Sequence, residues 1–144
     1  MHDRTRTSLR IACLAALLTL VVVAGAAAST MMLGSSPEIP GAEGKVSLKL
    51  INNQNTGITL SVKHLAPPER IAPGAAVIVV WVRGLESGAL AQNLGALRVN
   101  KNLSGKLRAI TALRAFDLFM TAEPAQSATA PTGSELLPLH YTGK

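Results

Sequence analysis

Short runs in which every second residue is apolar recur along this chain and constrain its fold more than any other feature. The clearest is KVSLKLI at 45–51, where Val46, Leu48 and Leu50 are separated by single polar residues. The run ITLSVKHL at 58–65 repeats the pattern after the turn-forming residues INNQNTG. Period-two alternation is typical of a strand with one buried and one solvated face, so the two runs predict a hairpin.

Further strand-like runs follow at short, regular spacing. AAVIVVWVR at 75–83 is apolar on both faces, which suits a central strand covered on both sides. The glycines in 86–98 argue against a helix there. The remaining predicted strands are LGALRVN (94–100), KLRAITAL (106–113), RAFDLFMTA (114–122) and ELLPLHY (135–141), the last an edge strand because it contains Pro138. We predict an all-β domain over 45–144, a single antiparallel immunoglobulin-like β-sandwich of about seven strands.

Residues 1–28 have the composition of an export signal. A basic segment with three arginines precedes the uncharged run 11–28, which ends in small residues before Ser29. We predict a cleaved signal peptide. An uncleaved anchor with its N-terminus inside is the alternative, because about 18 apolar residues are at the short end of a membrane span. Both predict an exported domain that is periplasmic, at the cell surface or secreted.

The segment 29–44, STMMLGSSPEIPGAEG, is rich in Ser, Gly and Pro and predicts a flexible linker between the leader and the domain. The only cysteine, Cys13, lies in the leader, so we expect no disulfide in the exported domain.

The exported part is moderately basic, and its basic residues are spread along the sequence. The chain contains one Trp, one Tyr and two Phe, too few for a base-stacking platform, so we expect no nucleic-acid partner. Solvated strand faces explain the charge, and weak attraction to an anionic membrane surface is left open.

Few residues offer catalytic or metal-binding chemistry. His64 and His140 are far apart in sequence, no cysteine can assist them, and the carboxylates lie mostly in predicted turns. No nucleophile motif such as G-x-S-x-G is present. We therefore predict a protein that is not an enzyme, with no catalytic residues, metal site or cofactor.

The strand FDLFMT ends in the loop AEPAQSATAPTG, which carries two prolines and no large apolar residue. We expect Pro124 to end the strand and Glu123 to accept hydrogen bonds from loop N–H groups. Two interpretations stay open, a long connection and a recognition loop on a rigid scaffold. The residues proposed to shape the loop or bind through it are Glu123, Pro124, Pro131 and Thr132.

The second half of the chain, about residues 75–137, contains IVVWV (78–82), LGAL (94–97) and FDLFMTAEPAQSATAPTG (116–133). In these segments it resembles the C-terminal extracytoplasmic domain of bacterial anti-sigma-K factors and related exported β-domains. The resemblance implies an exported sandwich of the sensor type. Only ten residues precede the apolar run, so we expect no cytoplasmic sigma-binding domain.

We therefore expect a non-catalytic binding or sensory module of the cell envelope, whose partner is an unknown envelope protein or ligand. The alternative is a structural or assembly subunit that pairs through an edge strand near 135–141 and is tethered through residues 11–28 if these are retained.

Overall fold

The computed structural model describes residues 27–143 and places them in eight antiparallel strands of one sheet. The strands are β1 (Ser29–Met32), β2 (Glu43–Leu50), β3 (Thr56–Lys63), β4 (Val77–Gly84), β5 (Ala91–Val99), β6 (Gly105–Thr111), β7 (Phe116–Glu123) and β8 (Leu136–Tyr141). A 3-10 turn (Asn52–Gln54) and a single helical turn, α1 (Pro68–Ile71), are the helical elements of this part of the chain. The sheet order is β1-β2-β3-β6-β5-β4-β7-β8. The predicted all-β, antiparallel class is confirmed.

The predicted hairpin of β2 and β3 is present, and β5 and β6 form a second one. β2 and β3 pair along their whole length around the 3-10 turn, where Gln54 adopts a positive φ of 62°. β5 and β6 pair only through Arg98 opposite Lys106 and Val99 opposite Gly105, so these strands separate soon after their shared turn.

One main core fills the inside of the sheet. It combines the inward residues of β2 and β3, such as Val46 and Leu60, with those of β4, β7 and β8. Phe116, Leu118 and Met120 form the inward face of β7 and are all fully buried in this core. Burial of this kind supplies most of the stabilisation of a domain without disulfides.

The two outer strands, β1 and β8, approach each other and nearly close the sheet. The Gly34 N–H donates to the Pro138 carbonyl at 2.9 Å, and the Leu137 N–H donates to the Ser36 hydroxyl at 2.7 Å. The predicted edge position of the last strand is confirmed, and Pro138 is compatible with it because its missing N–H faces no ladder partner. Residues 27–143 contain eight strands where about seven were expected, and the immunoglobulin-like sandwich stays a prediction.

The prediction of a flexible linker over 29–44 is wrong. Ser29–Met32 forms β1, paired with β2 from Ser29 opposite Leu48 to Met32 opposite Lys45. Ile39 joins the main core at 4% exposure, and Ser36 is buried at 3%. The prolines of this segment lie in turns between β1 and β2, and Met31, Leu33 and Ala42 pack against the same core, so the segment belongs to the folded domain.

The predicted signal peptide or anchor at 1–28 lies outside the described residues, apart from Ala27 and Ala28. Across 27–143, none of the helical elements has the length and apolar character needed to span a membrane.

Candidate functional site: the loop over Trp81

The loop 124–135, between β7 and β8, covers the outer face of β4 and β7. A second, small core lies beneath it, formed by Val79, Trp81 and Phe119, all fully buried. Ala128 of the loop packs against this core. The two-sided burial predicted for the Trp81 strand is confirmed, and the cover on its outer face is this loop.

Glu123, the last residue of β7, holds both ends of the loop. Its Oε1 accepts hydrogen bonds from the Thr121 hydroxyl at 2.5 Å and from the Thr132 N–H at 2.8 Å. Its Oε2 accepts the Thr132 hydroxyl at 2.5 Å. The Thr121 hydroxyl in turn accepts the indole N–H of Trp81 at 2.8 Å, so one chain of hydrogen bonds links the small core to the loop. Every buried polar atom of this group therefore has a partner.

The environment of Glu123 favours its charged form. Burial raises the pKa of this carboxyl, but hydrogen bonds from Thr121, from the Thr132 hydroxyl and from the backbone of Thr132 and Gly133 outweigh burial. The pKa of Glu123 is consequently below its ordinary value. The carboxylate is an ionised acceptor with its oxygens committed to the loop.

A bulge in β5 holds the middle of the loop. The pairing of β4 with β5 shifts between Val80 and Trp81, and Gly95 adopts a positive φ of 124° there. The bulge directs Asn93 over the sheet, where its Nδ2 donates to the carbonyls of Gln126 at 3.0 Å and Ala128 at 2.8 Å. The Asn93 Oδ1 accepts the Gly95 N–H at 2.8 Å, which orients the amide.

Sequence reasoning missed Asn93. A glycine within a strand-like run indicates a bulge, and Gly95 was such a signal. No local pattern shows that the preceding asparagine reaches a loop more than 30 residues further along the chain.

The four residues predicted for the loop have different surroundings. Glu123 is fully buried, Pro131 is half-buried, and Pro124 and Thr132 are exposed. The expected hydrogen bond from a loop N–H to Glu123 is present. Glu123 and Thr132 are brought together as an internal brace, whereas the outer surface of the loop presents Pro124 and its neighbours Gln126 and Ser127.

A shallow hollow of about 340 Å³ adjoins the exposed side of the loop. Gln126 forms one wall, and the beginning of β4, Pro68 of α1 and the facing part of β5 form the rest. Its volume is at the lower end of the range for small-molecule sites. The loop and this hollow together form the candidate binding surface.

A row of charged and polar residues borders the loop on the same face. Arg83 of β4 lies opposite Asp117 of β7, which lies opposite His140 of β8. Arg83 donates to Glu135 at 2.7 Å and lies 3.6 Å from Asp117, and His140 Nδ1 is 2.7 Å from Asp117. The guanidinium of Arg83 also lies 4.9 Å from the centre of the Phe119 ring. Through this contact Arg83 covers the edge of the small core.

The histidines do not converge. His64 is exposed and lies directly after β3. His140, on β8, pairs with Asp117 on β7. Within residues 27–143, no group of three or more His, Cys, Asp or Glu side chains is placed to hold a metal ion.

Comparison of the chain with protein-family models, curated proteins and solved structures finds no match. The resemblance to the extracytoplasmic domain of anti-sigma-K factors therefore stays a prediction based on the short segments quoted above.

Proposed function

We propose that this protein is a non-catalytic, exported binding or sensory module of the cell envelope, with an immunoglobulin-like sandwich resembling the extracytoplasmic part of anti-sigma-K factors. It recognises an envelope protein or ligand through the exposed side of the loop 124–135. The observation that carries this proposal is the bracing of the loop from beneath by Glu123 and Asn93. A braced loop loses little conformational entropy on binding, which is the physical advantage of preorganisation.

Gln126 is the best position for a test because it is exposed and also forms a wall of the hollow. A photo-crosslinking amino acid is placed there in the full chain, and in a matched chain at Asn102, an exposed turn residue. We expect a cross-linked product of discrete mass from position 126 that is absent from position 102. Pro124→Ser should weaken this product while leaving the unfolding midpoint unchanged. The same products from both positions would contradict the proposal.

A second candidate function is assembly through the outer strands. Among the described residues, Gly34 to Pro138 is the one backbone hydrogen bond that joins the β1 segment to β8. Beyond it a hollow of about 350 Å³ separates Ser29–Met31 from His140–Gly143. Backbone groups at such a gap can pair with a strand from another chain.

Light scattering over a wide concentration range tests this second function. Assembly predicts a molar mass that rises with concentration and that falls to the monomer value when a proline replaces Thr30 in β1. A monomer at every concentration would contradict it.

A further inference from the structure

The outer face of β2, β3 and β6 gathers basic side chains that are far apart in the sequence. Alternate residues of each strand point outward, and the register places Lys45 beside Ser61, Ser61 beside Lys106, and Thr59 beside Arg108. Arg98 of β5 belongs to the same surface, because it lies opposite Lys106 where β5 pairs with β6. We call this surface the basic face. Its exposed basic residues are Lys45, Lys49, Lys63, Arg98, Lys106 and Arg108.

The charge of the basic face is nearly unopposed. Glu43, opposite Lys63, is the acidic residue at the outward positions of these strands. The ion pairs within residues 27–143 join Arg83 to Asp117 and Glu135, and His140 lies beside Asp117; all four residues are in or next to the opposite half of the sheet. None of the six basic side chains therefore has an ion-pair partner in this part of the chain. Close like charges repel each other, and an anionic partner would relieve that repulsion.

The basic face is open and built from small residues between its charges. Ser47, Gly57, Thr59 and Ser61 occupy the positions between the Lys and Arg side chains. The aromatic residues of the chain lie on β4, β7 and β8, so the basic face offers no ring on which a nucleic-acid base could stack. The face is open rather than enclosed, and its broadest hollow, of about 540 Å³, is lined by Lys63, Arg98 and Lys106. An open, charged surface of this kind fits an extended anionic partner.

Two apolar side chains, one within the basic face and one beside it on β1, are exposed to solvent. Ile110 of β6 is 62% exposed and lies opposite Gly57, and Met32 of β1 is 63% exposed and lies opposite Lys45. A soluble polyanion gives such side chains nothing to pack against, whereas the headgroup and acyl boundary of a bilayer takes them up. Basic residues near an anionic bilayer add attraction of about 1 kcal/mol each.

We propose that the basic face docks on an anionic phospholipid surface. The phosphate groups lie against the Lys and Arg side chains, and Ile110 and Met32 enter the interface between headgroups and acyl chains. In this orientation the loop 124–135, on the other half of the sheet, faces away from the bilayer. The inference does not depend on the binding role of that loop.

Partition of the full chain between buffer and phosphatidylcholine vesicles, with and without phosphatidylglycerol, tests the proposal. The variant Lys49→Gln with Arg108→Gln removes two charges from the basic face. The control Arg70→Gln with Arg114→Gln removes the same charge outside these strands. We expect the first variant to lose about 25-fold in its preference for anionic vesicles and the control to change much less. Equal losses in both would overturn the proposal.

If the apolar run 11–28 is retained, it inserts into both kinds of vesicle and partition no longer reports on the basic face. The reactivity of lysines towards an acylating reagent then serves as a second measurement. On anionic vesicles the reactivity of Lys45, Lys49, Lys63 and Lys106 should fall, and high salt should restore it because ions screen exposed charges. Unchanged reactivity on the two kinds of vesicle, together with equal partition, would overturn the proposal.

Ile110→Ser separates a lipid surface from a soluble polyanion. We expect this variant to lose several-fold in vesicle partition while binding immobilised heparin as the unmodified chain does. If heparin or duplex DNA binds the chain and anionic vesicles bind no better than neutral ones, the lipid assignment is wrong.

Discussion

Glu123 shows how a buried carboxylate stabilises a loop without taking part in chemistry. Three of the hydrogen bonds that it accepts are 2.8 Å or shorter, and the two shortest come from hydroxyl groups. An anionic acceptor with several donors forms stronger bonds than a neutral one. The acceptor role of Glu123 was predictable from the sequence, because the strand ends in Glu-Pro directly before a loop. The N–H groups of such a loop need acceptors. The link to Trp81 was not predictable, since 40 residues separate Trp81 from Thr121.

Glu123→Gln should destabilise the domain by about 1–3 kcal/mol, because one carboxylate oxygen becomes an NH₂ that faces donors. Urea unfolding at neutral pH measures the loss. Glu38→Gln is the matched control, since Glu38 is exposed in a turn, and it should change the stability by less than about 0.5 kcal/mol. Equal stability of the two variants would show that the brace contributes nothing.

The same residue predicts a pH dependence. Because the folded pKa of Glu123 is lowered, its contribution is fully present above the ordinary Glu value of about 4.3 and is lost as the pH falls through the lower folded value. The stability difference between the unmodified chain and Glu123→Gln should therefore shrink in acid. Unfolding curves at a series of pH values measure it, and a constant difference down to the most acidic pH would contradict the assigned cause.

At the scale of elements, the bulge in β5 and the loop 124–135 act as one unit. The bulge places Asn93 where its amide closes the loop over the small core, and Gly95 supplies the backbone conformation that the bulge requires. Gly133 allows the loop to approach closely, because a Cβ there would lie 3.1 Å from the Ala122 carbonyl oxygen. The bulge itself was predictable from a glycine in a strand. Its contact with the loop was not, because it depends on β4 lying between β5 and β7.

Asn93→Ala should release the loop while the sheet stays folded. Trp81 is the only tryptophan of the chain and lies beneath the loop, so its fluorescence reports loop opening directly. We expect stronger quenching by acrylamide and an unchanged far-ultraviolet circular dichroism spectrum. Asn100→Ala is the control, because Asn100 also accepts backbone hydrogen bonds but in the β5–β6 turn. Identical quenching in both variants would contradict the role of Asn93.

At the scale of the molecule, the segment before β2 closes the fold. Ser36 connects that segment to β8 through the Leu137 N–H, across 101 positions of sequence. Sequence reasoning took this segment for a linker because Pro, Gly and Ser are common to linkers and to tight turns. Composition cannot distinguish a linker from a segment with tight turns. The difference is whether Ile39 and its neighbours pack against the core.

Ser36→Ala should destabilise the domain by about 1–3 kcal/mol, because it leaves the buried Leu137 N–H without a partner. The neighbouring Ser35 is exposed, and Ser35→Ala should be close to neutral. Urea unfolding gives the free energies, and hydrogen exchange at Leu137 shows whether β8 has loosened. A Leu137 amide that stays equally protected in both variants would contradict closure through Ser36.

The sequence by itself determined the strands β2 to β8, the alternation of their faces and their turns, because alternation and turn residues are local properties of the chain. Only the tertiary structure decided which strands are neighbours. That choice brings Trp81, Thr121, Glu123 and Thr132 into one hydrogen-bonded group and collects six scattered basic residues on one face. Long-range pairing depends on the packing of the whole core, so no local pattern specifies it.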